Sequence, residues 1–383
     1  MYWKQHRAYK DDPMSNTDTW KEELPEKGIL SGIILQFHMT NANLIKGYYK
    51  ARLIDHLTKI EVTDGGTETM ASLTGQEFKA QNFYDEGKID HEMAILFDTN
   101  VQRTTVYIPF GRHFKDPDYM LDLGAWDSVY LELTNDLTTT YCADKAAKVD
   151  VQLVLAEDLG MAPANYIKNY EWRNNKPKAD AQYVYHKLPT RDVIRRVMVQ
   201  TDPDLNTVGS AVSDPKGDSF NLKFTFREGS EVVWDHRPKD IMKANALDYG
   251  LVKTRGRYYQ STSQYIDTAV GYVANEHFAY MSHTASSTIT AVGAMQESND
   301  RFQVLREISA GTNAPQMIDM QTVGVGYYHT MVLFDAGLKS VDQYLNPGKE
   351  GDVKGPVDIE WYGHTDDHTL RTCLSVPMPQ GEA

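Results

Sequence analysis

Residues 59–87 and residues 222–250 carry the same pattern twice. KIEVTDGGTETMASLTGQEFKAQNFYDEG, displaced by 163 positions without a gap, lies on LKFTFREGSEVVWDHRPKDIMKANALDYG. Gly66 then meets Gly229, Glu68 meets Glu231, Asn82 meets Asn245, Asp85 meets Asp248 and Gly87 meets Gly250. Met70 falls on Val233, Glu77 on Asp240 and Phe78 on Ile241. These matches sit at structural punctuation: a hairpin glycine, a short helix, and the glycine that ends it. A long-period repeat demands that both copies fold alike, so it restricts the architecture before composition is considered.

Each copy predicts strand, glycine turn, strand, helix. Ile60 and Val62 alternate with Glu61 and Thr63, and Leu222, Phe224 and Phe226 alternate with Lys223 and Thr225. The two strands differ in phase by one residue, which predicts a slip of one in the alignment there. Asp64-Gly65-Gly66 and Glu228-Gly229 supply the turns. Thr74-Gly75-Gln76-Glu77 fits a capping box, in which the Thr hydroxyl and the Glu carboxylate each satisfy a backbone donor. Pro238 suits the first turn of the second helix, and Gly87 and Gly250 suit the left-handed residue past each helix end. Two similar domains in tandem follow.

With 383 residues the chain is long enough for two or three domains. Its net charge of −14 argues against nucleic-acid binding, which needs a basic face to displace counterions. The 23 tyrosines favour strands. Cys142, in a loop, and Cys373, in a strand-like run, are expected to be free thiols. No apolar run reaches the roughly 18 residues a spanning helix needs, and the first residues lack the apolar core of a secretory signal.

Taken in order, residues 1–27 are polar and read as an N-terminal arm. Its mix of Tyr2, Trp3 and Tyr9 with Lys4, Arg7 and Lys10 suits a lipid surface or a neighbouring subunit. Residues 28–157 read as a first β-sandwich of about eight strands with one short helix. Residues 158–190 read as an inter-domain linker, whose Tyr166, Tyr170, Trp172, Tyr183 and Tyr185 are expected to pack across both domains. Residues 191–379 read as a second sandwich, interrupted at about 251–322 by an extended, exposed loop insertion.

Two stretches resemble a known family. Residues 60–87 and residues 106–136, VYIPFGRHFKDPDYMLDLGAWDSVYLELTND, are similar to segments of double jelly-roll major capsid proteins of icosahedral tailless viruses, most like those of bacterial viruses. The resemblance runs from about residue 28 to 379. It implies an all-β chain of two tandem eight-stranded jelly-roll β-sandwiches, each with a short helix, plus a long loop insertion in the second. It also implies a homotrimeric capsomer of pseudo-hexagonal outline that meets neighbouring capsomers and minor capsid or penton proteins in a virion shell assembled in the host cytoplasm. An internal membrane beneath such shells would give the N-terminal arm a partner. Sites in such a protein are interfaces, so neither catalytic residues nor a cofactor are expected.

Other residues offer different chemistry. His364, Asp366, Asp367 and His368 offer two imidazoles and two carboxylates to a divalent metal, but they fall between predicted strands, where Asp and Thr make turns for backbone reasons. Asp116 and Asp118, with Asp122 nearby, could hold Ca²⁺ at an intersubunit contact, although Asp-Pro-Asp is commonly a turn. Trp126, Trp234 and Trp361 read as core aromatics before sugar-stacking ones. Arg195-Arg196, and Arg255 with Arg257, are expected to bridge to a neighbour's acidic face. The sequence has no nucleophile elbow, phosphate loop, HExxH or CxxC. The alternatives are a two-domain β-sandwich glycan hydrolase or amidase, and a carbohydrate-binding or receptor-binding protein.

Overall fold

The structure, a computed structural model, describes residues 1–15, 17–42, 53–66, 68–86, 101–143, 146–161, 163–175, 183–189 and 191–203. Beyond these it describes the elements named below together with Leu345, Gln380 and Gly381. Two sheets form the first sandwich. One runs β1 (Tyr2–Ser15), β9 (Ala146–Glu157), β3 (Ile29–Thr40), β6 (Val101–Pro109), with the two-residue β7 (Leu121–Asp122) also on β3. The other runs β2 (Thr19–Glu23), β8 (Tyr130–Asn135), β4 (Leu57–Thr63), β5 (Thr69–Leu73). Setting aside β7, successive strands pass back and forth between the sheets, except that β4 and β5 form a hairpin within one, and this is the order of a jelly roll. Alternation in sequence becomes alternation in burial. Leu131 and Leu133 of β8, Val149, Val151 and Leu153 of β9, and Ile33, Leu35 and Phe37 of β3 all point into one core.

Residues 1–27 are therefore not an arm. They supply β1 and β2, the outer strands of the two sheets, and eight long strands are reached only by counting from Tyr2 instead of residue 28. The sequence hides β1 because most of an edge strand's side chains face water, so no apolar alternation marks it. Its edge is blunted by Lys4, Arg7, Lys10 and Pro13 and by two register shifts against β9. Met14 is fully buried, Tyr9 packs edge-on against Trp20, and the Trp20 indole N–H donates to Asp12 at 2.8 Å.

The same correction applies to residues 158–190. They contain β10 (Asn165–Asn175) and β11 (Tyr183–Lys187), the first two strands of the second sandwich. Its sheets run β10, β23 (His368–Pro379), β12 (Arg196–Pro203), β21 (His329–Leu333), and β11, β22 (Asp358–Tyr362), β13 (Leu222–Phe226), β14 (Glu231–His236). This is the strand order of the first sandwich. The displacement of 163 carries Tyr2 to Asn165, where β10 begins. It also carries α1 (Gly75–Glu86) onto α2 (Pro238–Tyr249) end to end. The expected slip is present: Ile60 pairs with Leu73, whereas Leu222, one position earlier in the repeat, pairs with His236, the equivalent of Leu73.

The insertion is not a plain loop. It holds two three-stranded sheets: β15 (Val252–Gln260), β20 (Gln316–Gly324), β17 (Tyr280–His283), and β16 (Ile266–Ala269), β19 (Arg301–Glu307), β18 (Thr290–Gly293). Among the described residues no helix is long and apolar enough to cross a membrane.

Two glycines are fixed by geometry. Gly65 takes φ +75° in the β4–β5 turn, where Asp64 Oδ1 accepts from the N–H of Gly66 (2.8 Å) and of Glu68 (3.1 Å). Gly32 lies beneath the Tyr107 ring, so a Cβ there would come within 2.4 Å of the tyrosine oxygen. That ring is held by Phe114, edge-on, and by a hydroxyl bond to the Ser31 carbonyl. Gly32→Ala should cost about 1–3 kcal/mol through overpacking, read as a drop in Tm.

Candidate functional site: the seam between the sandwiches

The two sandwiches share a sheet. β5 and β10 pair in parallel at Ala71–Asn169 and Ser72–Tyr170, so one eight-stranded sheet runs β2, β8, β4, β5, β10, β23, β12, β21. Further backbone bonds stitch β10 to the first sandwich: the Ile167 N–H donates to the Phe110 carbonyl at 2.8 Å, and the Met120 N–H to the Asn165 carbonyl at 3.3 Å. Tyr166 is buried against Trp126, edge-on. Of the aromatics expected to pack across both domains, Tyr166 does so from a strand of the second sandwich, while the side chains of Tyr183 and Tyr185 lie outside the described residues.

α1 fills the angle between the sandwiches. The capping box forms as predicted: the Thr74 N–H donates to Glu77 Oε2 (2.7 Å) and the Glu77 N–H to Thr74 Oγ1 (3.3 Å). Phe78 and Phe83 face the first core. Asn82 clamps the helix to β6, donating to the Tyr107 carbonyl (2.6 Å) and accepting from the Tyr107 N–H (3.0 Å). The opposite face of α1 lies on the outer surface of the second sandwich. There Asp85 Oδ1 accepts from Arg196 Nη1 at 2.8 Å and Arg195 Nη1 at 3.1 Å.

Both guanidiniums are buried, Arg195 at 3 % and Arg196 at 2 % exposure, and their further bonds hold them in place. Arg196 donates through Nε (3.0 Å) and Nη2 (2.8 Å) to Ser375 Oγ, and through Nη2 to Asn169 Oδ1 (3.3 Å). Arg195 Nη2 donates to the Arg112 carbonyl at 3.3 Å. Asn169 Nδ2 reaches back to the Pro109 carbonyl, and Lys168 pairs with Glu68. Burial pulls the Arg196 pKa below its ordinary value, with Asp85 opposing; an arginine remains charged regardless. Arg195 and Arg196 thus bridge within the chain, not to a neighbour. Their position at the start of β12, facing α1, decides this, and a sequence without partner coordinates does not show it.

Further along α1, Glu77 is fully buried beside Arg371 (3.9 Å). Burial pushes its pKa up and Glu171 adds to this, against the pull of Arg371 and the Thr74 N–H. A raised carboxyl pKa favours folding most below the ordinary value, and that contribution is lost as pH rises through the folded value. Glu77→Gln should therefore raise Tm at pH 8 and converge with the parent near pH 4. Glu77→Ala, which also breaks the cap, should cost about 1 kcal/mol.

The other sequence candidates separate here. Asp116 is buried, and its carboxylate is taken by Arg112 (Nε 2.7 Å, Nη2 2.9 Å) and by the N–H groups of Arg112 and Asp118. Arg112 also reaches Asp118, while Asp122 turns away to cap Gly124 at 3.0 Å. An arginine occupies the place expected for Ca²⁺. Burial pushes the Asp116 pKa up, but the Arg112 and backbone bonds outweigh it and hold the group below the usual carboxylate range. Its stabilisation should be complete above the ordinary carboxylate pKa and lost as pH falls through the folded one. His364, Asp366 and Asp367 lie outside the described residues, and His368 opens β23 opposite Pro203. Among the described residues no group of three or more His, Cys, Asp or Glu comes together to hold a metal ion. Cys142 and Cys373 are buried free thiols.

Sequence reasoning missed Asn169 and Ser375 outright. Asp85 was visible only as a repeat identity, and that identity was the usable signal.

No protein-family model and no curated protein matches the sequence. Solved structures do match by shape. The major capsid protein of STIV, the Sulfolobus turreted icosahedral virus, superposes with a TM-score of 0.61 at 8% identity, covering 99% of this chain and 97% of that one. The major capsid protein of bacteriophage PM2 gives 0.51 at 9%, covering 99% and 97%. A subunit of the PBCV-1 virus capsid gives 0.53 at 10%, covering 98% and 93%. The chain has the all-β double jelly-roll fold of these proteins over almost its whole length.

Proposed function

We propose that this chain is a structural protein, a viral major capsid protein whose homotrimer forms a pseudo-hexagonal capsomer of an icosahedral shell. The observation that carries this is the pair of sandwiches with one strand order, held by a shared sheet and a buried seam. Three such chains present six near-equivalent units, and a six-fold outline tiles a shell through one repeated type of contact. The shape likeness to viral capsid proteins along the full length supports the reading. The working location is the virion. Neighbouring capsomers are the main partners, with minor capsid proteins and an internal membrane as further ones. Any membrane contact by residues 1–15 is made by a sheet edge, not by a free arm.

The test is size-exclusion chromatography with light scattering, then negative-stain imaging. The chain mass is 43.4 kDa. A particle of three times that mass with a hexagonal outline is expected. A monomer that persists across salt and divalent cation overturns the proposal and directs attention to glycan binding and cleavage.

A further inference from the structure

Two carboxylates of α1 meet the second sandwich, about 12 Å apart along the helix axis. At Asp85 two guanidiniums donate to the carboxylate. At Glu77 the bonding is incomplete. Its Oε2 accepts from the Thr74 N–H, but Oε1 is buried and, among the described residues, has no hydrogen-bond partner. Arg371 Nη1 stands 3.9 Å from Oε1, beyond hydrogen-bond reach. The same guanidinium stands 3.9 Å from Glu171 through Nε, which is also buried without a partner. One cation therefore lies at ion-pair distance from two carboxylates and is hydrogen-bonded to neither.

Among the described residues, the charged and titratable groups set against Glu77 are Glu171 of β10 and Arg371 and Cys373 of β23. Glu171 lies opposite Cys373 in the β10–β23 register. On α1 itself, Lys79 is buried two residues on, about 200° round the helix, and Asp85 is taken by Arg195 and Arg196. Asp55, just before β4, is held by Gln76 at 2.7 Å. A single positive charge cannot neutralise both Glu77 and Glu171 away from water, so the site retains one proton. Glu77 carries it, being 0 % exposed where the Glu171 side chain is 30 % exposed. The burial that raises the Glu77 pKa acts in the same sense. This proton sits on a boundary. α1 belongs to the first sandwich, where Gly75 lies close on Ile54 and Leu57 and Asn82 clamps β6, whereas Arg371 and Glu171 belong to the second.

We propose that Glu77, Arg371 and Glu171 form a proton-operated latch: with its proton Glu77 keeps the second sandwich seated on α1, and without it this end of the seam opens while both sandwiches stay folded. A buried carboxylate that Arg371 does not neutralise gains most from water, and parting α1 from β23 admits it. Little main chain has to separate, since β5 and β10 share only the two rungs Ala71–Asn169 and Ser72–Tyr170. The Asp85 end, bonded to two arginines, serves as the hinge. Cys373, 3 % exposed and on the same face of β23 as Arg371, is uncovered by the opening. The latch lies inside one chain and operates whether or not chains associate.

The test labels the native full chain with iodoacetamide across a pH series and reads Cys373 against Cys142 by mass spectrometry. Cys142 is buried in the first sandwich, bridged to Asn41, so it reports unfolding of that sandwich and corrects for the pH dependence of thiol alkylation itself. The ratio of Cys373 to Cys142 labelling should rise about tenfold per pH unit from the ordinary carboxyl value up to the folded value of Glu77, then level off. Glu77→Gln keeps an acceptor for the Thr74 N–H and stays neutral, so it should hold the ratio low and flat. Glu171→Gln leaves Arg371 to Glu77 alone and should reduce the rise severalfold. A parent ratio that does not change with pH overturns the latch, as does a rise that Glu77→Gln leaves intact. If far-UV circular dichroism shows that Glu77→Gln does not fold, Glu171→Gln decides: a rise equal to the parent's overturns the proposal. Size-exclusion of the same samples reports the oligomer separately, so the latch and the capsid reading fail independently.

Discussion

Asp85→Ala should destabilise the protein by about 3–5 kcal/mol, because it removes the carboxylate that two buried guanidiniums share. The loss is larger than the net value of the ion pair. Arg196 is held by Ser375 and Asn169 and cannot swing out to water, so its charge stays inside without its counter-ion. Asp85→Asn keeps the shape and one acceptor, and should lose less than the alanine variant. Urea unfolding followed by tryptophan fluorescence checks this. A cost below about 1 kcal/mol for the alanine variant would mean that the seam is held by the shared sheet alone.

Phe78→Ala should cost a similar amount, about 3–5 kcal/mol, for a different reason. Phe78 is fully buried where α1 meets the first core. Truncation removes its apolar surface and leaves a hole that a capped helix, clamped by Asn82, cannot close. Phe78→Leu should recover more than half of the loss. Equilibrium unfolding again reads the result, and equal stability of the leucine and alanine variants would show that the helix relaxes into the space.

The parts of the fold visible in the sequence were those with a local physical cause. The capping box, the Asp-Gly-Gly turn and the clean alternation of Leu131 and Leu133 each depend on neighbours a few residues away. The repeat carried this to the second copy, down to the one-residue slip at Leu222. The strands that were missed, β1, β2, β10 and β11, open each sandwich. β1 and β2 are edge strands with mostly wet faces, and β10 carries aromatics that serve the junction as well as a core. None of these leaves a period-two signal. The seam was hidden because its charges pair across long separations, Asp85 with Arg196 and Glu77 with Arg371, and nothing local distinguishes a buried arginine from an exposed one.

β23 lies between β10 and β12, and it is made long after both. During synthesis, then, the longest sheet of the molecule stands open at its centre, with two unpaired strand borders, until the ribosome has passed Pro379. The floor on which α1 rests, with Ser375 and Cys373, is missing for the same interval. A nascent or truncated chain offers neither a finished seam nor a closed second sandwich. Strand order thus acts as a timing device: neither the seam nor the second sandwich can close before β23 has been translated.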